Sequence, residues 1–118
     1  MPQITGKAVI RVDGKELRTL DGATLNPGGV SREAMKGGGK VHGFKETDVE
    51  PTMECKVAHT ADLSLKELGD ITNATVIFEC DTGRRYVLRE AWTTEPPALD
   101  AGAGSVDLKM AAIECDED

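Results

Sequence analysis

Two histidines, three cysteines and a scatter of carboxylates are the residues of this 118-residue chain whose chemistry could go beyond packing. His59 follows Cys55 by four positions. On a strand that spacing puts both side chains on one face, so a thiolate and an imidazole would point the same way. A metal would need at least one more donor, and Cys80 or Cys115 would have to supply it. No tight pair of the Cys-x-x-Cys kind is present, and Cys55, Cys80 and Cys115 read as small buried apolar side chains. Lys36-Gly37-Gly38-Gly39-Lys40 is glycine-rich like a phosphate-binding loop. It lacks the Gly-Lys-Ser/Thr ending and joins no strand to a helix. Glu33, Glu46, Asp48 and Glu50 offer carboxylates for acid–base work, but nothing sets them apart from a charged strand edge. No Ser, His and Asp set has a supporting motif. The expectation is a protein without catalysis, cofactor or metal. A small metal-dependent enzyme and a monomeric β-sandwich binding module stand as competing readings.

The elements that would position these residues have a period of two. Ala8, Ile10 and Val12 alternate with Lys7, Val9 and Arg11, which makes a strand with one buried face. Asp13-Gly14 supplies the positive φ angles of a tight hairpin, and Glu16 to Leu20 returns. Asp21-Gly22 repeats the turn signal, with Ala23-Thr24-Leu25 extending the hairpin. Met53, Cys55 and Val57 form one face of another strand, after Pro51 has interrupted the chain. Ser64-Leu65-Lys66-Glu67 has the form of a capping box and opens a short helix that Gly69 ends. Ala74 to Asp81 is a strand with Val76, Phe78 and Cys80 on one face. Asp81-Thr82-Gly83-Arg84 turns it into a return strand carrying Tyr86, Leu88 and Trp92 on one face. Ser105 to Cys115 is the last strand, with a bulge expected near Ala111-Ala112-Ile113. The fold class is mainly β: an antiparallel β-sandwich or flattened barrel with one short flanking helix. It forms one domain over residues 1–118, with an acidic tail, 114–118, expected to fray.

Charge narrows the partners. Against 14 Lys+Arg stand 21 Asp+Glu, a formal charge of −7, the wrong sign for tight binding to nucleic-acid phosphates. No apolar run is long enough to span a bilayer and no signal core opens the chain, so no membrane anchor is expected. Three cysteines without dense spacing fit folding in a reducing cytoplasm. Only two Phe, one Tyr and one Trp are present. The core must therefore be built from aliphatic residues, and it is thin.

The remaining feature is a glycine-rich excursion over 27–43, read as an extended arm without regular structure. Long loops of that kind are rare in small domains unless they have a task. This one holds almost no catalytic side chains. It holds Val30, Ala34, Met35, Val41 and Phe44, apolar residues that have little reason to be there unless they pack on something. Val30, Arg32, Met35, Val41 and Phe44 are the candidate inter-subunit contacts, made by lending backbone and side chains to a neighbouring copy.

The order of these features resembles the small tail tube proteins of Mu-like contractile-tailed phages over nearly the whole length. The residues that carry the likeness are Val12-Asp13-Gly14-Lys15-Glu16-Leu17, Val30-Ser31-Arg32-Glu33 and Gly43-Phe44-Lys45-Glu46-Thr47. The helix near Leu63 to Leu68 and the paired strands around Asp81-Thr82-Gly83 follow in order. The resemblance implies a structural virion protein made in the host cytoplasm and placed in the tail. Six copies would close into a ring, and rings would stack into the inner tube through which DNA is ejected, the arm touching the next ring. Its partners would be itself, sheath, tape-measure and baseplate or tail-terminator proteins, with DNA only in passing. Acids beside buried strand positions, Glu46, Asp48, Glu50 and Glu54, are candidates for the channel wall, where their charge would keep phosphates from sticking. Related tubes serve type VI secretion and phage-tail-like bacteriocins, and these are the alternative setting.

Overall fold

The computed structural model describes residues 2–117. Strand β1, Ala8–Val12, turns at Asp13 and Gly14, with φ of 50° and 85°, into the two-residue β2, Lys15–Glu16. Positive φ at both central residues is the hairpin geometry that matches the natural strand twist. β2 does not continue to Leu20. The chain leaves the β1 edge, and the Leu20 N–H donates to the Lys56 carbonyl at 2.7 Å. Thus β3, Thr24–Asn26, pairs with β6, Thr52–Ala58, and does not extend the first hairpin.

Between them the chain makes β4, Gly29–Gly37, and β5, Lys40–Val49, which pair only with each other. The helix α1 is Leu65–Gly69. Its cap is formed as the sequence indicates, with the Ser64 hydroxyl accepting from the Glu67 N–H at 3.3 Å. Then come β7, Ala74–Cys80, β8, Arg85–Thr93, β9, Ala98–Asp100, β10, Ser105–Ala111, and β11, Glu114–Glu117. Among the described residues no helix is long and apolar enough to cross a membrane.

The body is one antiparallel sheet in the order β2-β1-β7-β8-β10-β6-β3, with β11 also on β8 and β9 also on β10. It folds over itself at β8. Arg89 and Glu90 together oppose Thr75, and Glu90 takes a φ of 53°. This bulge switches the strand's faces. Leu88 and Ala91 are both fully buried, and Trp92 moves to the other side, opposite Ala111. Trp92 therefore leaves the face on which simple alternation places it. The other end of β8 pairs with β7 and β11, so one strand serves two layers.

The inner faces of those layers meet in an aliphatic core. Ile10, Met53, Leu88, Leu108, Met110, Val57, Val76 and Val106 are its largest fully buried members. Leu68 brings the helix against this core, and Leu63 packs beside it half-buried. The layers do not close into a barrel. Segment 17–20 bridges β1 to β6 by a few backbone bonds, including Leu17 N–H to Ile10 O at 2.9 Å and Ala58 N–H to Arg18 O at 2.8 Å. An open groove of about 650 Å³ follows this seam.

The last expected strand is two. At Ala112 the chain crosses from β6's side to β8's side, with Ala112 N–H on Pro51 O and Ile113 N–H on Arg89 O. Residues 114–117 are not frayed. Glu114 and Asp116 lie 3.5 and 2.6 Å from Arg89, and Glu117 lies 2.8 Å from Arg84. Such exposed pairs add little to stability in water. The strand stands mainly on its ladder to β8 and on half-buried Cys115. Asp118 lies outside the described residues.

Candidate assembly surface

The excursion expected as an irregular arm is an ordered hairpin. Gly38 and Gly39, at φ 58° and 76°, make a two-residue turn between Gly37 and Lys40. Glycine takes both angles at little cost. From there the strands run antiparallel down to Gly29 opposite Val49. His42 is the extra residue of a bulge between Met35 opposite Gly43 and Lys36 opposite Val41, and its ring Nε2–H donates to the Gly37 carbonyl at 3.1 Å.

The register sorts the side chains. Val30, Arg32, Ala34 and Lys36 on β4 share a face with Asp48, Glu46, Phe44 and Val41 on β5. Met35 lies on the opposite face. Arg32 connects the first face, its guanidinium 5.7 Å from the Phe44 ring centroid and 3.7 Å from Glu46. Across the other face Lys45 lies 3.8 Å from Glu33. These contacts are worth a few tenths of a kcal/mol each in water.

Every residue from Gly29 to Asp48 is exposed. Val41 and Phe44 are 68% and 61% exposed, Val30 and Met35 42% and 45%. The arm stretches the molecule to 61 × 39 × 28 Å with a radius of gyration of 17.2 Å. A compact chain of this length would have about 13 Å. Two strands alone are marginal in water, and this ribbon stands clear of its own body with its apolar side chains uncovered.

The root of the arm is closely packed. The Gly28 N–H donates to the Asn26 side-chain carbonyl at 2.9 Å. Gly28 sits at φ 76°, and a Cβ there would lie 2.7 Å from the Val49 carbonyl and 2.8 Å from the Pro51 nitrogen. Gly28→Ala therefore adds a backbone clash to roughly 1–2 kcal/mol of left-handed strain. Amide exchange over β4 and β5 is expected to speed up about tenfold or more, with the body's exchange unchanged. Ile113, 63% exposed, lies next to this root through the Ala112–Pro51 bond. The slipped alternation at Ala111-Ala112-Ile113 is the sequence sign of this exposure.

The residues with catalytic chemistry are not brought together. Among the described residues no three His, Cys, Asp or Glu side chains form a metal-binding group. Burial pushes the Cys55 thiol up to about 12, so it stays protonated and a poor ligand. Burial, with Asp116 and Glu117 nearby, also raises Cys115. In the seam groove the notable carboxylate, Asp62, is held below its usual range by the Thr60 hydroxyl, its own backbone N–H and Arg18. Arg18 reaches both Asp62, at 3.1 Å, and Thr60, at 2.8 Å, which makes a surface clamp and no acid–base pair. The four acids named for a channel wall lie on different pieces. Glu46 and Asp48 are on the arm, Glu50 is in its link to β6, and Glu54 is on β6, 3.5 Å from Lys109.

Comparison with known proteins gives this geometry a family. The family model described as "Phage tail tube protein" matches residues 1–117. The chain belongs to the phage tail tube protein family. It is 48% identical over 113 residues to the "Mu-like prophage FluMu tail tube protein" of Haemophilus influenzae, which covers 96% of this chain and 94% of that one. It is 38% identical over 106 residues to the "Tail tube protein" of Escherichia phage Mu, covering 90% and 89%. Among solved structures, "Structure of Hcp1 from Flavobacterium johnsoniae" aligns over 93% of both chains with a TM-score of 0.59. At 13% identity that likeness is one of fold. The relatives are structural tail tube proteins, and this member of the family is a structural component of a tail and not an enzyme.

Proposed function

We propose that the protein polymerises with copies of itself into stacked rings, six to a ring, forming the inner tube of a contractile tail. The observation that carries this reading is the ordered arm with Val30, Ala34, Val41 and Phe44 on one uncovered face. A Val or Phe side chain gains about 1.5–3 kcal/mol on full burial, and Val30, Val41 and Phe44 are left exposed by the chain's own body. Made in the host cytoplasm, the tube would surround a tape-measure protein during assembly, lie inside a sheath and join baseplate and terminator proteins at its ends. DNA would pass through it without tight binding. Glu46, Asp48, Glu50 and Glu54 are proposed as wall acids. Glu46 and Glu54 each face a cation, so the repulsion of phosphates falls chiefly to Asp48 and Glu50. Screening acts over about 8–10 Å at physiological salt, short enough that only a narrow bore feels the wall. Relatives at 48% and 38% identity that are named as tail tube proteins favour a phage tail over a secretion tube.

Negative-stain microscopy and sedimentation of the purified protein over a range of concentrations test the reading. Rings or hollow tubes are expected as concentration rises. A monodisperse monomer at every concentration and salt overturns it.

A further inference from the structure

The arm is divided by charge along its length. Residues 34–45, its outer half, contain Lys36, Lys40 and Lys45 and no acid, while Glu46, Asp48 and Glu50 cluster at the root. Over residues 29–49 there are four cations and three anions, a net +1. The rest of the chain has ten and eighteen, a net −8. Lys45 is opposite Glu33, but among the described residues Lys36 and Lys40 make no ion pair. A strand rises about 3.3 Å per residue, so a turn at Gly38–Gly39 stands about 25–30 Å from the root. That is about three screening lengths at physiological salt, so the tip's charge does nothing for its own body.

We propose that the Lys36–Lys40 tip docks on the acidic body of a second copy, and that this pairing of unlike charges gives the polymer its direction. The inference rests on the tube reading and specifies its contact. Two bodies at −8 repel and two basic tips repel, which leaves tip-to-body as the favoured encounter. Such a contact uses different patches on the two copies, so it propagates head to tail and does not close as a symmetric pair. The register gives it a direction. The arm leaves the body beside Thr52, at the start of β6. The other end of β6, at Ala58, lies against Ser105, which also pairs with Asp100 at the end of β9, and Asp62 follows in the loop after β6. Asp62 there is already held by Arg18, so Asp100, which faces no cation among the described residues, is the acid that this end offers to an arriving tip.

Lys36→Glu/Lys40→Glu and Lys36→Arg/Lys40→Arg test it against the unaltered chain. Both turn-flanking residues are exposed, so circular dichroism should match in all three. The glutamate variant is expected to raise the critical concentration for polymer about tenfold or more, and the arginine variant to leave it within about twofold. Polymer of the unaltered chain should weaken steadily as sodium chloride rises. A small fraction of the glutamate variant added to the unaltered chain should shorten its polymers, because the variant can still receive an arm but cannot offer one. Polymerisation of the glutamate variant at the ordinary concentration overturns the proposal. So does easier association of Lys36→Gln/Lys40→Gln, which would make the lysines guards of a free strand edge. Retention of duplex DNA that these lysines provide, with polymer growth unaffected, would also overturn it by assigning them to nucleic acid. An unaltered chain that never polymerises removes the tube reading itself.

Discussion

Replacing residues 29–49 with an Asn-Gly turn is expected to leave the body folded and to abolish self-assembly. The strand ends at the root are already paired, Gly29 opposite Val49, so a short turn can close the gap. None of the removed side chains up to Asp48 is buried, and the hairpin shares no ladder with the body. Surface changes of that kind stay near about 0.5 kcal/mol each, and the urea midpoint of the shortened chain should be close to the original. Assembly should respond very differently. Losing even two apolar contacts of about 1.5 kcal/mol each costs about 3 kcal/mol, on the order of a hundredfold in the concentration needed for polymer. Sedimentation velocity and microscopy read the difference. If the shortened chain still grows long tubes, the arm is not what joins the copies.

The second large effect lies in the body. Leu88 is fully buried on β8, opposite Val76 on one side and Cys115 on the other. Leu88→Ala removes packing where both layers meet, and the bulge beside it limits how far the backbone can close the space. A cost of about 3–4 kcal/mol is expected. Small domains hold only about 5–15 kcal/mol in total. With an aliphatic core and Phe78 as its one buried aromatic, this body should lie low in that range. Urea unfolding at concentrations below the onset of polymer should show the loss, and Val87→Ala on the half-exposed outer side should show much less of one.

What could be read in the sequence follows from where one face is buried and the other wet. β1, β6 and β7 have that asymmetry, so Ile10, Cys55, Val57 and Val76 announced themselves by alternation. The Asp13-Gly14 and Asp81 to Gly83 turns and the Ser64 cap depend on local chemistry and were equally legible. The arm was half legible: Val41 to Asp48 reads as weakly strand-like, while Gly29 to Gly37 does not read as a strand. With both faces exposed it has no buried side to impose a period of two, and its glycines suggest disorder where they form a turn and a bulge. Its apolar residues were visible, but their common face depends on the register around His42. Trp92 was placed on the wrong side because one inserted residue at Glu90 inverts everything after it. The slipped alternation at Ala111-Ala112-Ile113 marks where the last strand breaks, but which partner each piece takes, like the pairing of β3 with β6, is decided by distant strands and no local pattern records it. The acids suggested for a channel wall were chosen by flanking position alone, and the separation of Glu54 from Glu46 needs the sheet order to be seen.

The root at Gly28 and Pro51 is the one place where recognition and foldedness touch. With the arm in its proposed role, substitutions farther out along the ribbon change whom a subunit meets without taxing the core that keeps it intact. Two descendants of one ancestral chain could therefore drift apart in the arms they offer and in the surface patches that receive them while their buried cores stay nearly interchangeable. A cell producing both would sort them into separate filaments.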